Sequence, residues 1–99
     1  MQNLKFSRLA QSDLYEVVDF IALDNPLAAY KMHDAIMETC KLLLDQPQSA
    51  VQVASATKGL RRAVVKGYPT YLVFYREIDL GIEIIRIGEG HRDWLSILS

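Results

Sequence analysis

Gly59-Leu60-Arg61-Arg62-Ala63-Val64-Val65-Lys66, Tyr71-Leu72-Val73-Phe74-Tyr75-Arg76, Ile82-Glu83-Ile84-Ile85-Arg86-Ile87 and Gly90-His91-Arg92-Asp93-Trp94 follow one another in the last third of the chain. The first three runs are rich in β-branched and aromatic residues, which fit a pleated, half-buried surface. They predict strands over 60–65, 70–78 and 82–88. Lys66-Gly67-Tyr68-Pro69 supplies the first turn and Asp79-Leu80-Gly81 the second. Both connections are short and carry glycine, so the strands form an antiparallel meander. Each strand carries arginine among apolar residues, with no nucleophile motif, metal-ligand spacing or phosphate loop beside it. After Gly90, residues 92–98 close the chain as a short helix anchored by Trp94, Leu95 and Leu98.

Upstream, the hydrophobic period changes. Leu4 and Phe6 alternate with Lys5 and Ser7, predicting a first strand over 2–7. Ala10, Leu14, Val17, Val18 and Ile21 recur at helical spacing, with Gln11, Asp13, Glu16 and Asp19 between them and Ser7 as N-cap. That helix stops near Leu23. Asn25-Pro26 restarts the chain as N-cap and first helical residue. A second helix runs to about Leu44, with Leu27, Ala29, Met32, Ile36, Cys40, Leu43 and Leu44 as its apolar stripe. So short a connection makes the two helices an antiparallel hairpin. Gln46-Pro47 ends the second helix. Residues 48–58 carry no decisive signal. The order predicts one α+β domain over residues 1–99: β-α-α-β-β-β, with the hairpin packed on one face of a small antiparallel sheet. The first strand returns beside the meander as an edge or second strand.

Composition narrows the function. The chain has 99 residues, is 51% hydrophobic and 23% charged, and has a formal net charge of -1. A domain this small has modest stability and gains from a partner chain. Near-neutral charge argues against binding nucleic acid chiefly through phosphates, and against direct sequence-specific contact with it. The single cysteine, Cys40, forms no internal disulfide, which suits a reducing cytoplasm. No signal peptide and no run of about 20 apolar residues is visible, so no membrane role is expected. No cofactor and no metal site is expected.

Taken together, the chain resembles the ParE/RelE toxins of bacterial type II toxin–antitoxin modules, and the ParE branch (plasmid stabilisation proteins) more closely. The likeness covers nearly the whole chain. It rests on Ala10, Asp13-Leu14, Phe20-Ile21-Ala22, Asn25-Pro26 and Ala28-Ala29 at the front. Behind them come Gly59-Leu60-Arg61, the 71–76 and 82–87 runs, and Gly90-His91-Arg92-Asp93. The resemblance implies a RelE/ParE-like fold and a toxin that traps DNA gyrase by protein–protein contact. It also implies a cognate antitoxin, ParD-like or a similar small protein, that wraps the toxin into a hetero-oligomer.

Two other readings accompany it. A RelE-type, ribosome-dependent mRNA endoribonuclease would draw on His91, Arg62 and Arg86, since cleavage through the 2′-OH needs a base and cations for the phosphorane. That branch usually carries an arginine where this chain has Leu72, and often a tyrosine near the C-terminus, whereas none follows Tyr75. A non-toxic relic that only binds antitoxin is the other. On the favoured reading no residue is catalytic, and Arg61, Arg62, Arg76, Arg86, Arg92 and Trp94 are candidates for contact with target or antitoxin. A structural reading stands beside this: Arg92-Asp93 as an ion pair anchoring the tail, Trp94 as its apolar anchor, Cys40 as a buried inert thiol, and His33 on a solvated helix face.

Overall fold

Three consecutive antiparallel strands, β3 (Arg61–Val65), β4 (Tyr68–Ile78) and β5 (Gly81–Glu89), form the meander in the computed structural model, which describes residues 2–54 and 58–98. Strand β1 (Asn3–Phe6) joins β5 in parallel, so the sheet as a whole is mixed. A two-residue strand, β2 (Val51–Gln52), lies on the outer side of β3. The order across the sheet is β1-β5-β4-β3-β2. β2 falls in the stretch whose sequence carried no signal; residues 55–57 of that stretch lie outside the described residues.

The helices α1 (Arg8–Asp24) and α2 (Pro26–Asp45) begin where the caps place them. Ser7 Oγ accepts from the Ala10 N–H at 3.0 Å. Asn25 serves both helices: its N–H donates to Ile21 O and its Oδ1 accepts from the Ala28 N–H. One face of the hairpin buries Ala10, Met32, Ile36, Cys40 and Leu43 against Val65, Val73, Tyr75, Ile82, Ile84 and Ile87 of the sheet. Leu27, expected on that stripe, is 64% exposed. It lies two residues, about 200° of helix, from buried Ala29, so it points the other way. Thr39 is buried instead, because its hydroxyl ties α2 to the sheet. It donates to Ala35 O at 2.8 Å and accepts from the Lys66 N–H at 3.0 Å. A second, smaller core lies on the other side of the sheet, where Leu60, Phe74 and Trp94 pack together beside α3 (Trp94–Leu98).

The turn after β4 differs in detail from its sequence reading. Leu80, not Gly81, takes the left-handed backbone, at φ 62°. Gly81 is needed for space: a Cβ there would fall onto the Asn3 carbonyl. Gly81→Ala therefore pushes β1 off β5, at a cost of about 1–3 kcal/mol. Leu80→Gly is neutral or stabilises slightly, because glycine adopts positive φ without strain. Urea titrations of both variants check this pair of outcomes. The reverse ranking would mean that β1 does not need the close approach.

Cys40 is fully buried, and burial pushes its thiol pKa from 9.0 up to about 12. The thiolate is the reactive form, so the folded chain should resist alkylation at pH 8 while the urea-unfolded chain reacts. The linkage has a definite sign. The unfolded state releases this proton above pH 9 while the folded state keeps it until about 12. Stability from this group is complete below pH 9 and declines above it, by at most about 1.4 kcal/mol per pH unit. Comparing Cys40→Ala with the parent between pH 8 and 10 isolates the slope.

Candidate functional site: an arginine-rimmed groove on the open face of the sheet

The helices cover one face of the sheet; the other carries a groove of about 560 Å³ beside α3. Its walls include Val51, Val53, Leu72, Phe74, Leu95 and Leu98, with Arg62, Arg92 and Trp94 around them. Val51 is 64% and Leu95 75% exposed, so apolar surface is open to solvent. Next to the groove, β2 covers β3 only at Arg61 and Arg62. Among the described residues, Ala63, Val64 and Val65 have no strand on their outer side, and half-exposed Val64 shares the open face with Arg62. An apolar groove beside a free strand edge suits an extended or helical peptide.

Trp94 shapes this face. Its ring sits 4.7 Å from that of Phe74, tilted by 47°, and its indole N–H donates to Glu89 O at 2.8 Å. Beneath it, Gly88 leaves the needed space, since a Cβ there would lie 2.8 Å from the indole. The Arg92 guanidinium lies 5.1 Å and that of Arg86 5.9 Å from the ring centroid. The expected Arg92–Asp93 ion pair is absent among the described residues. Asp93 instead accepts from the Ser96 hydroxyl at 2.8 Å and its N–H at 3.4 Å, capping α3. Arg92 stacks on Trp94, where the negative face of the indole attracts the cation.

The structure sorts the other candidates by partner. Arg61 donates to Ala50 O at 2.6 Å and to Gln48 O at 3.4 Å. With Tyr75 Oη, which donates to Pro47 O at 2.7 Å, it pins the segment after α2. Strand alternation explains this: Arg61 shares the side of Ala63 and Val65, which the helices cover. Arg76 pairs with its cross-strand neighbour Glu83 at 2.9 Å. His91 is exposed beyond β5, with Nδ1 3.5 Å from a Glu89 oxygen. Of the six contact candidates, Arg62, Arg92 and Trp94 therefore meet around one groove, whereas Arg61, Arg76 and Arg86 face internal partners.

Arg86 is the most committed of these. Its Nε and Nη2 donate to the two carboxylate oxygens of Asp13 at 2.8 and 2.9 Å, and the Ile87 N–H donates to the same carboxylate at 2.9 Å. Only 15% and 5% of the Arg86 and Asp13 side chains are exposed. The hydrogen bonds to Asp13 push the Arg86 pKa above its ordinary value, against the opposing effect of burial. The reason for the arrangement is local. β1 pairs with β5 only as far as Phe6 opposite Ile84. Beyond that point Ser7 donates to Ile84 O and Ile85 O, and Asp13 takes the Ile87 N–H, so α1 continues the ladder with side chains. Asp13 had read as a polar residue between apolar ones. Its spacing, three after Ala10 and four before Val17, was the available signal that it lies on the buried stripe.

Among the described residues no group of three or more His, Cys, Asp and Glu could hold a metal ion, and no helix is long and apolar enough to cross a membrane.

The family model described as the ParE toxin of the type II toxin–antitoxin system parDE matches residues 4–94. The chain belongs to the ParE toxin family. A comparison with curated proteins finds no match. Among solved structures, this ParE-family chain is similar to a chain of the chromosomal ParDE toxin–antitoxin system from P. aeruginosa. The TM-score is 0.73 and the identity 26%, over 90% of this chain and 96% of that one. The E. coli DinJ-YafQ toxin–antitoxin complex has a similar chain at TM-score 0.61 and 17% identity, over 89% and 91% of the two chains. The conserved hypothetical protein HP0894 from Helicobacter pylori follows at 0.57 and 18%, over 91% and 96%. At these lower identities the likeness is one of fold.

Proposed function

We propose that this ParE-family toxin acts in the cytoplasm by docking on DNA gyrase, and that a cognate antitoxin neutralises it by occupying the sheet face. The observation that carries the reading is the convergence of Arg62, Arg92 and Trp94 on one open apolar groove beside the free edge of β3. Arginine and aromatic residues around an apolar centre are typical of protein interfaces. The similar chain from P. aeruginosa is part of a toxin–antitoxin system, which supports the antitoxin partner. The engagement of Arg86 by Asp13 supports contact rather than cleavage, because the ribonuclease reading would need that cation at a phosphate.

Purified gyrase supplies the test. Micromolar toxin should block supercoiling and accumulate cleaved DNA, and Arg62→Glu/Arg92→Glu should weaken this at least tenfold while the fold is retained. Unchanged supercoiling would count against gyrase as target. Codon-linked mRNA cuts in a translation extract would favour the ribonuclease reading, and normal growth of a host holding soluble toxin would favour the antitoxin-binding relic.

A further inference from the structure

The helical layer carries a second groove, on the far side of the sheet from the first. It runs between α1 and α2 and is lined by Phe6, Leu14, Tyr15, Val18, His33 and Met37, with Asp19 and Gln11 at its polar edge. Its volume is about 480 Å³, and Tyr15 is 71% exposed there. Among the described residues no Lys or Arg lines it. Asp34, with its side chain 84% exposed, places a carboxylate oxygen 3.8 Å from His33 Nδ1. From Arg8 to Asp45 the chain carries seven acids and three bases; of the acids, Asp13 pairs with Arg86 and Glu38 with Lys66. Acids therefore dominate this layer, whereas arginines rim the sheet groove.

From this contrast we infer that the α1–α2 groove is a second docking surface, and that it receives a cationic amphipathic helical segment of a partner protein. An apolar stripe on that segment would fill the cleft over Leu14, Val18 and Met37, with Tyr15 as an aromatic anchor. Its lysines or arginines would meet Asp19 and Asp34, and like charge would reject an acidic segment of the same shape. Because the two grooves lie on opposite sides of the sheet and differ in sign, both can be filled at once. The inference does not depend on gyrase being the target.

The probes are two fluorescent 14-residue amphipathic helices of one apolar pattern, one Lys/Leu and one Glu/Leu, titrated against the full chain by anisotropy. The Lys/Leu peptide should bind at least tenfold more tightly. Tyr15→Ala, and Asp19→Lys with Asp34→Lys, should each weaken it at least tenfold; these side chains are exposed, and circular dichroism confirms the fold. Asp24→Lys with Asp45→Lys, charges away from the groove, should change binding by less than twofold, as should Arg62→Glu/Arg92→Glu. Equal loss in the Asp24/Asp45 variant would mean diffuse charge attraction and would overturn the proposal. So would equal affinity for both peptides, or binding of neither. A doubled mass in sedimentation that Tyr15→Ala abolishes would make the occupant a second copy of the chain, and the proposal would fall.

Discussion

Asp13→Ala lowers the stability of this protein by about 3–5 kcal/mol, the cost of leaving one partner of a buried ion pair uncompensated. Two losses combine. The Arg86 guanidinium keeps its charge in a site where Asp13 was its hydrogen-bonding carboxylate. The Ile87 N–H, buried at the point where β1 no longer covers β5, loses its acceptor. The thermal midpoint should fall by more than about 10 °C in a domain of this size. A double replacement separates the two losses. Asp13→Leu with Arg86→Met removes both charges and restores apolar contact, which in other buried pairs is close to neutral. Here it should remain about 1–3 kcal/mol below the parent, because the Ile87 N–H is still unpaired. A loss under 1 kcal/mol for Asp13→Ala in urea titration would show that solvent reaches the pair and that α1 does not continue the sheet's ladder.

Trp94→Ala has the second large effect, about 3–5 kcal/mol. The small core on the open face is Leu60, Phe74 and Trp94. Removing the indole leaves a void over Gly88 and Phe74 and takes away the anchor of α3. Trp94→Phe keeps an aromatic ring against Phe74 and loses the N–H bond to Glu89 O, so about 1 kcal/mol is expected from the lost hydrogen bond. As the chain's only tryptophan, Trp94 also reports on itself: its emission should shift to the red as α3 leaves the sheet. The variant separates two roles as well. A variant that keeps parental stability but loses the proposed action on gyrase would make Trp94 a contact residue and not the anchor of the tail.

The legibility of the candidate site in sequence was uneven for a physical reason. All six contact candidates were arginines or tryptophan in or beside strands, and nothing in their immediate surroundings distinguished them. Their partners did. Arg61 meets carbonyls 11 and 13 positions away, and Arg86 meets a carboxylate 73 positions away. Alternation along β3 was enough to put Arg61 and Arg62 on opposite sides, but not to say which side the helices would cover. The groove between α1 and α2 was equally hidden, because its lining comes from β1, α1 and α2 together.

What the chain's order of residues determined by itself is what neighbours within a few positions control. Ser7 and Asn25-Pro26 start the helices, Gln46-Pro47 stops the second, and the 3.6- and 2-residue periods mark the hairpin and the meander. Only the tertiary structure decided that β1 lies parallel to β5, that Gly81 must be bare beneath Asn3, and that Asp13 turns inward to complete the sheet. It also left Arg62 and Arg92, alone among the candidate arginines, on an open groove. Caps and periods are short-range terms, set by steric and hydrogen-bonding preferences along the backbone. A charge's partner depends on which distant segments collapse together, and that is settled only when the core closes.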